Sequence, residues 1–238
     1  MFVPIHDKNA LKFISFQRVT FGLIAANIAV FLWQLSLSAK LSGALVVVAG
    51  VTPTSLMGSI PLPPEFALLP PELTLFTYMF LHGSWMHLIA NMIFLWVFGD
   101  NIEDAMGHLK FLFFYLTCGV VAGYAHAFME PQSGAPMIGA SGATAGVIGA
   151  YLLLYPKVKV WVLVLMRIPV RLPAYWILAF WAGFQVYFML FSDNTTTAWW
   201  AHIGGFITGI ALVILLHRPE IPLLGPKPDE NVDADIVN

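Results

Sequence analysis

Six stretches of this chain run near the length of a bilayer without one charged side chain: 19–37, 76–98, 111–128, 137–155, 172–191 and 198–216. Lipid offers no water to a peptide group, so a crossing segment must fold into a helix of roughly 20 apolar residues. Hydrophobic residues make up 59% of the 238 and charged residues 10%, where soluble domains carry roughly a quarter charged. A soluble fold of this size could not cover that much apolar surface. The pattern predicts an all-α membrane protein, a six-transmembrane-helix bundle with a long first extracytoplasmic loop that contains the Pro-rich stretch 61–71. Two further apolar pieces, 41–51 and 158–166, are too short to cross and are expected to be re-entrant or interfacial.

The expected organisation is a cytoplasmic N-terminus over 1–18, a six-helix domain over 19–217 and a cytoplasmic tail over 218–238. That tail is polar, acidic and Pro-containing, a composition that favours disorder. The first 18 residues have no short apolar region ending in a small-residue cleavage site, so no removable signal peptide is expected. Positive residues are retained in the cytoplasm. With the N-terminus inside, ten of the 11 Lys and Arg residues fall on the inner side and only Lys40 outside, which puts both termini in the cytoplasm. A net charge of −2 with scattered basic residues excludes a general attraction to nucleic acid. The single cysteine, Cys118, lies in an apolar run and is expected to be a small buried hydrophobe.

Hydrogen-bonding residues inside membrane spans are costly and mark sites or packed polar contacts. Gly83 and Ser84 look like a break and a cap, so that Trp85 starts a helix with His87 and Asn91 on one face of its first two turns. Ser141 falls four residues inside the fourth span and His202 four residues inside the sixth, and both spans run from outside to inside. At about 1.5 Å of rise per residue, all four side chains sit within about 10 Å of the outer helix ends. Taken singly, a membrane histidine is usually satisfied by a neighbouring carbonyl, and a serine by its own helix. Gly142 with Gly146 and Gly205 with Gly209 have the spacing that lets two membrane helices pack closely. Such packing of the fourth and sixth helices would bring the Ser141 hydroxyl to the His202 imidazole.

Gly139-Ala140-Ser141-Gly142, Ala201-His202-Ile203-Gly204-Gly205 and the run from His82 through Gly83, Ser84 and His87 to Asn91 resemble the three motifs of the rhomboid family, in family order and on the fourth, sixth and second spans. The likeness covers the six-helix core and includes the turn from Glu103 to Gly107. It implies a bundle with a water-filled cavity opening outward, no metal or cofactor, and a Ser-His dyad that hydrolyses peptide bonds in or near transmembrane segments of protein substrates in the lipid bilayer. The implied type is bacterial or archaeal, in a prokaryotic plasma membrane. By the same resemblance Ser141 is the nucleophile, and His202 its base and then its acid. His87, Asn91 and the Ser141 backbone N–H form the oxyanion hole, Gly139 and Gly142 allow a tight turn at the nucleophile, and His82 makes a structural hydrogen bond. The fifth helix and 193–197 are the gate candidates.

This chain departs from the family at two places. Where many relatives stack an aromatic residue on the catalytic histidine, one turn after the nucleophile, it has Ala145, so some other group must orient His202. Leu73 and Thr74 stand where some relatives carry a Trp-Arg pair. No carboxylate lies within the spans to complete a triad, and Asp193 reads as a solvated loop acid. A zinc protease would need His-Glu-x-x-His, which His82 and His87 do not supply. An aspartyl protease would need two acids within the bilayer, and a transporter would carry its ionisable site near the midplane. The remaining alternative is a catalytically silent rhomboid-like protein that binds or escorts transmembrane helices.

Overall fold

The computed structural model describes residues 2–164, 167–191 and 197–225. Asp193 and most of the gate loop lie outside the described residues, as do residues 226–238 of the tail. In chain order the elements are β1 (Phe2–Asp7), α1 (Arg18–Ser36), α2 (Ala39–Ala49), α3 (Pro53–Leu56) and α4 (Pro71–Thr77). A 3-10 turn (Tyr78–Phe80) leads to α5 (Trp85–Met106), α6 (His108–Met129) and α7 (Ser141–Leu154). A hairpin of β2 (Lys159–Val164) and β3 (Ile168–Pro173) follows, then α8 (Ala174–Phe191) and α9 (Trp199–Leu216).

The fold is a helical membrane bundle of α1 and α5 to α9. Four of these helices, α1, α6, α8 and α9, are each long and apolar enough to cross a membrane. The second expected span is differently placed. Its first residues belong to α4 and the 3-10 turn, the chain then bends by 85°, and α5 carries the crossing on to Met106. Ser84 caps α5 by accepting from the His87 amide at 3.2 Å. The fourth span is shorter than its apolar run, because the helix starts at Ser141 and its 14 residues rise only about 21 Å. It tolerates that length because it is the central helix: from Gly142 to Tyr151 every residue is buried. The apolar faces of the other helices point outward, as lipid requires, with Phe128 and Leu215 more than 70% exposed.

Within the piece over 158–166, residues 159–164 form a strand, so the expected helical bundle carries in addition a small antiparallel sheet of order β1-β2-β3. The reason is its period. Valine recurs at 158, 160, 162 and 164, and the alternation buries Val160 and Val162 on one face. The other short piece, 41–51, forms most of α2 and ends in a single antiparallel bridge between Val51 and Met137.

At the sheet end of the bundle, two buried acids of α5 hold the chain that enters α1. The first amides of a helix have no carbonyl one turn back. Glu103 accepts from the Val19 and Thr20 amides at 2.9 and 2.8 Å and from the Thr20 hydroxyl at 2.7 Å. Asp104 accepts from the amides of Lys12, Phe13 and Ile14 at 2.9, 2.7 and 2.7 Å. Beyond α9, the Arg218 amide donates to the Ala105 carbonyl at 2.8 Å.

The tightest packing joins α7 to α9. A Cβ on Gly205 would lie 1.9 Å from the Gly142 carbonyl oxygen, and one on Gly209 would lie 2.0 Å from that of Gly146. Cys118 of α6 is fully buried beside them, its sulfur 2.5 Å from where a Cβ on Gly146 would be. Gly209→Leu must therefore part the two helices and should cost about 1–3 kcal/mol or more, lowering the melting temperature in detergent. Gly22→Leu, on α1 with nothing within 4 Å, should leave that temperature unchanged.

Candidate active site

The approach to α7 is built by backbone pairing. Met137 and Val51 exchange both amide-to-carbonyl bonds, at 2.8 and 2.9 Å, and the Gly139 amide donates to the Tyr78 carbonyl at 2.9 Å. Tyr78 is itself fixed, its hydroxyl donating to the Gly119 carbonyl at 2.7 Å. Gly139 has φ of +121°, a conformation that side chains rarely adopt, and a Cβ there would lie 2.5 Å from His87 Nε2. The chain thus turns tightly beneath the His87 ring and enters the helix at once. Ser141 is the first residue of α7, not the fifth of a longer helix, so its N–H has no carbonyl one turn back within α7.

His202 is the fourth residue of α9, and its ring reaches back toward α7. His202 Nε2 lies 2.8 Å from Ser141 Oγ. On its other side, His202 Nδ1 lies 2.7 Å from Gln185 Oε1 of α8. Trp181 and Trp199 flank the imidazole with ring centres 6.2 and 6.0 Å away. Position 145 contributes only a buried methyl.

His87 and Asn91 lie on the facing turns of α5. Asn91 is buried, and its Nδ2 is 3.1 Å from the His87 carbonyl and 3.2 Å from His82 Nε2. His82 is clamped to α1, because Gln34 accepts from its amide at 3.1 Å and donates to its carbonyl at 3.4 Å. Ser141, His202, His87, Asn91 and Gln185 line one cavity of 690 Å3 at the bundle end away from the sheet. Gly142 and Gly205 are not in its wall; they set the distance between the helices that carry Ser141 and His202. Among the described residues no cluster of His, Cys, Asp or Glu could hold a metal ion.

Gln185 was not legible as a site residue. A single glutamine in an apolar span carries no motif, and its partner lies on another helix. The arrangement can do one thing chemically: a hydroxyl faces an imidazole nitrogen, next to amide and ring donors, in a space large enough for a peptide segment. Gly139→Ala should strain the backbone by about 1–3 kcal/mol and push His87 out of this wall. A lower melting temperature than the wild type and than Gly134→Ala, where nothing lies within 4 Å, checks it.

Residues 71–219, more than half of the chain, match the Rhomboid domain. RHOMBOID-like protein 5 of Arabidopsis thaliana is 29% identical over 154 residues, which cover 64% of this chain and 47% of that protein. Rhomboid-like protease 3 of Toxoplasma gondii is 31% identical, over 60% of this chain and 51% of its own length. The human presenilin-associated rhomboid-like protein, mitochondrial, is 31% identical, over 56% of this chain and 32% of its own. The chain therefore spans about half or less of these relatives. All three are eukaryotic and one is named mitochondrial, which runs against the bacterial or archaeal type and the prokaryotic membrane expected from sequence. What the match carries is the architecture and the family: this chain is an integral membrane protein and belongs to the rhomboid family, which includes serine proteases.

Proposed function

We propose that the protein is an intramembrane serine endopeptidase that cuts peptide bonds in or near the transmembrane segments of other membrane proteins. The observation that carries this reading is the 2.8 Å contact between Ser141 Oγ and His202 Nε2 inside a cavity that also holds His87 and Asn91. Ser141 Oγ attacks the substrate carbonyl while His202 Nε2 takes its proton. The tetrahedral oxyanion is stabilised by the Ser141 N–H, left unpaired within α7, and by His87 and Asn91. Collapse breaks the C–N bond, and His202 returns the proton to the leaving amine. Water, deprotonated by the same ring, then hydrolyses the acyl ester and frees Ser141.

Asn91 sharpens the geometry of the second step. Both hydrogens of its amide are engaged, by the His87 carbonyl and by His82. To donate to an oxyanion it must release one. The bond to the His87 carbonyl is the cheaper to lose, because that oxygen also accepts within α5. His82 then keeps the amide aimed while the other hydrogen turns to the substrate.

The excess of Lys and Arg on one side supports a cavity that opens away from the cytoplasm, with both termini inside. A substrate helix hides its carbonyls in its own hydrogen bonds, so it must unwind locally before Ser141 can reach one. Substrate spans bearing Gly should therefore be cut faster than stiff, leucine-rich ones, at roughly 1 kcal/mol of helix propensity per Gly. Equal rates for a matched pair in lipid would sink that step.

The central test is labelling by a fluorophosphonate probe with cleavage of a model transmembrane substrate. Wild type should label and cut; Ser141→Ala should do neither, and His202→Ala should lose at least about a hundredfold in rate while staying folded. Binding of the substrate helix without labelling or cleavage would instead identify a silent escort of membrane helices.

A further inference from the structure

α8 is apolar on nearly every face, and beyond Leu178 its one buried side chain is polar: Gln185. Its two amide ends are sorted by their partners. Gln185 Nε2 donates to the Trp181 carbonyl, one turn back, at 3.3 Å. That leaves Oε1 toward His202, 2.7 Å from Nδ1. A carbonyl oxygen only accepts, so Nδ1 carries the ring proton and the lone pair of the neutral imidazole lies on Nε2, the nitrogen facing Ser141 Oγ. The opposite orientation would set an oxygen against the Trp181 carbonyl and put the ring proton on Nε2, leaving no base in front of Ser141.

We propose that Gln185 is a positioning residue of the dyad, one that fixes His202 in its Nδ1–H tautomer and holds the ring in line with Ser141. This rests on the reading of Ser141 and His202 as nucleophile and base. Trp181 and Trp199 limit how far the ring can swing, but an aromatic face does not select a tautomer. Among the described residues the other titratable groups facing His202 are His87 of α5 and His126 of α6, and neither bonds Nδ1. Gln185 thus meets the need created at position 145, and it meets it from a different helix.

The test uses the full-length protein in detergent as wild type, Gln185→Met and Gln185→Glu, with cleavage of a fluorogenic transmembrane peptide and fluorophosphonate labelling followed against pH. Methionine keeps the length and loses the acceptor: kcat and labelling should fall about tenfold with KM unchanged. Glutamate restores an acceptor and adds a charge that favours the imidazolium, which cannot act as base. Its rate should recover on the alkaline side, with the acid limb moved to higher pH. A folded Met variant that labels and cuts at the wild-type rate at every pH overturns the proposal. If that variant fails to melt cooperatively, the Glu variant decides, and an unmoved acid limb overturns it. Wild type that never labels defeats the Ser-His reading and this proposal together, whereas reactive wild type with indifferent Gln185 variants defeats this proposal alone.

Discussion

The contact between α7 and α9, where glycine meets peptide carbonyl with no side chain between, is what the rest of the structure depends on. Lipid tails are as apolar as leucine, so membrane helices gain little from hiding apolar surface from one another and associate through close packing. Gly205 against Gly142 and Gly209 against Gly146 bring the two backbones together at successive turns. The separation this fixes is also the separation of Ser141 from His202, since both side chains project from the same pair of helices near the first of those contacts. A displacement of about 1 Å at a reacting centre can cost a hundredfold in rate. Stability of the core and reach of the hydroxyl are therefore set by the same atoms.

A central helix packed this tightly cannot also carry a long, adaptable lead-in, and the structure resolves the conflict in the segment before Ser141. The backbone from Met137 to Gly139 is tied to Val51 and Tyr78 through main-chain bonds, and Tyr78 is tied to α6. On the facing side, Gln34 of α1 grips the backbone of His82, which in turn holds the Asn91 amide. The connection from α1 to α5, through Val51, Tyr78 and His82, thus braces both walls of the cavity. The glycine at 139 is where the two walls nearly touch.

The sequence made legible what local rules govern. Uncharged runs of bilayer length correspond to the bundle helices, the Gly83-Ser84 break marks the start of α5, and small residues four apart mark where α7 and α9 pack. What it concealed are pairings between distant residues. Glu103 and Asp104 read as charges outside a span, yet they are buried partners for amides more than 80 positions away. The strand at 159–164 is betrayed by its valine alternation and not by its length, and its neighbour β1 lies more than 150 positions away. The bend before α5 is marked by the Gly83-Ser84 break and not by hydropathy, since both of its arms are apolar.

Gln185 belongs to that second group, and its origin on α8 gives the site a property that a dyad on α7 and α9 alone would lack. The first turns of α8 are anchored by Ala174, Ile177 and Leu178, while its C-terminal half buries only the glutamine. That half is fastened to α9 by the bond from Gln185 to His202 and by the stacking of Phe188 on Trp199, with ring centres 5.4 Å apart. If the C-terminal half of α8 swings outward, the imidazole loses its acceptor and is free to present a proton, instead of a lone pair, to Ser141. Position of the helix and readiness of the base become one variable.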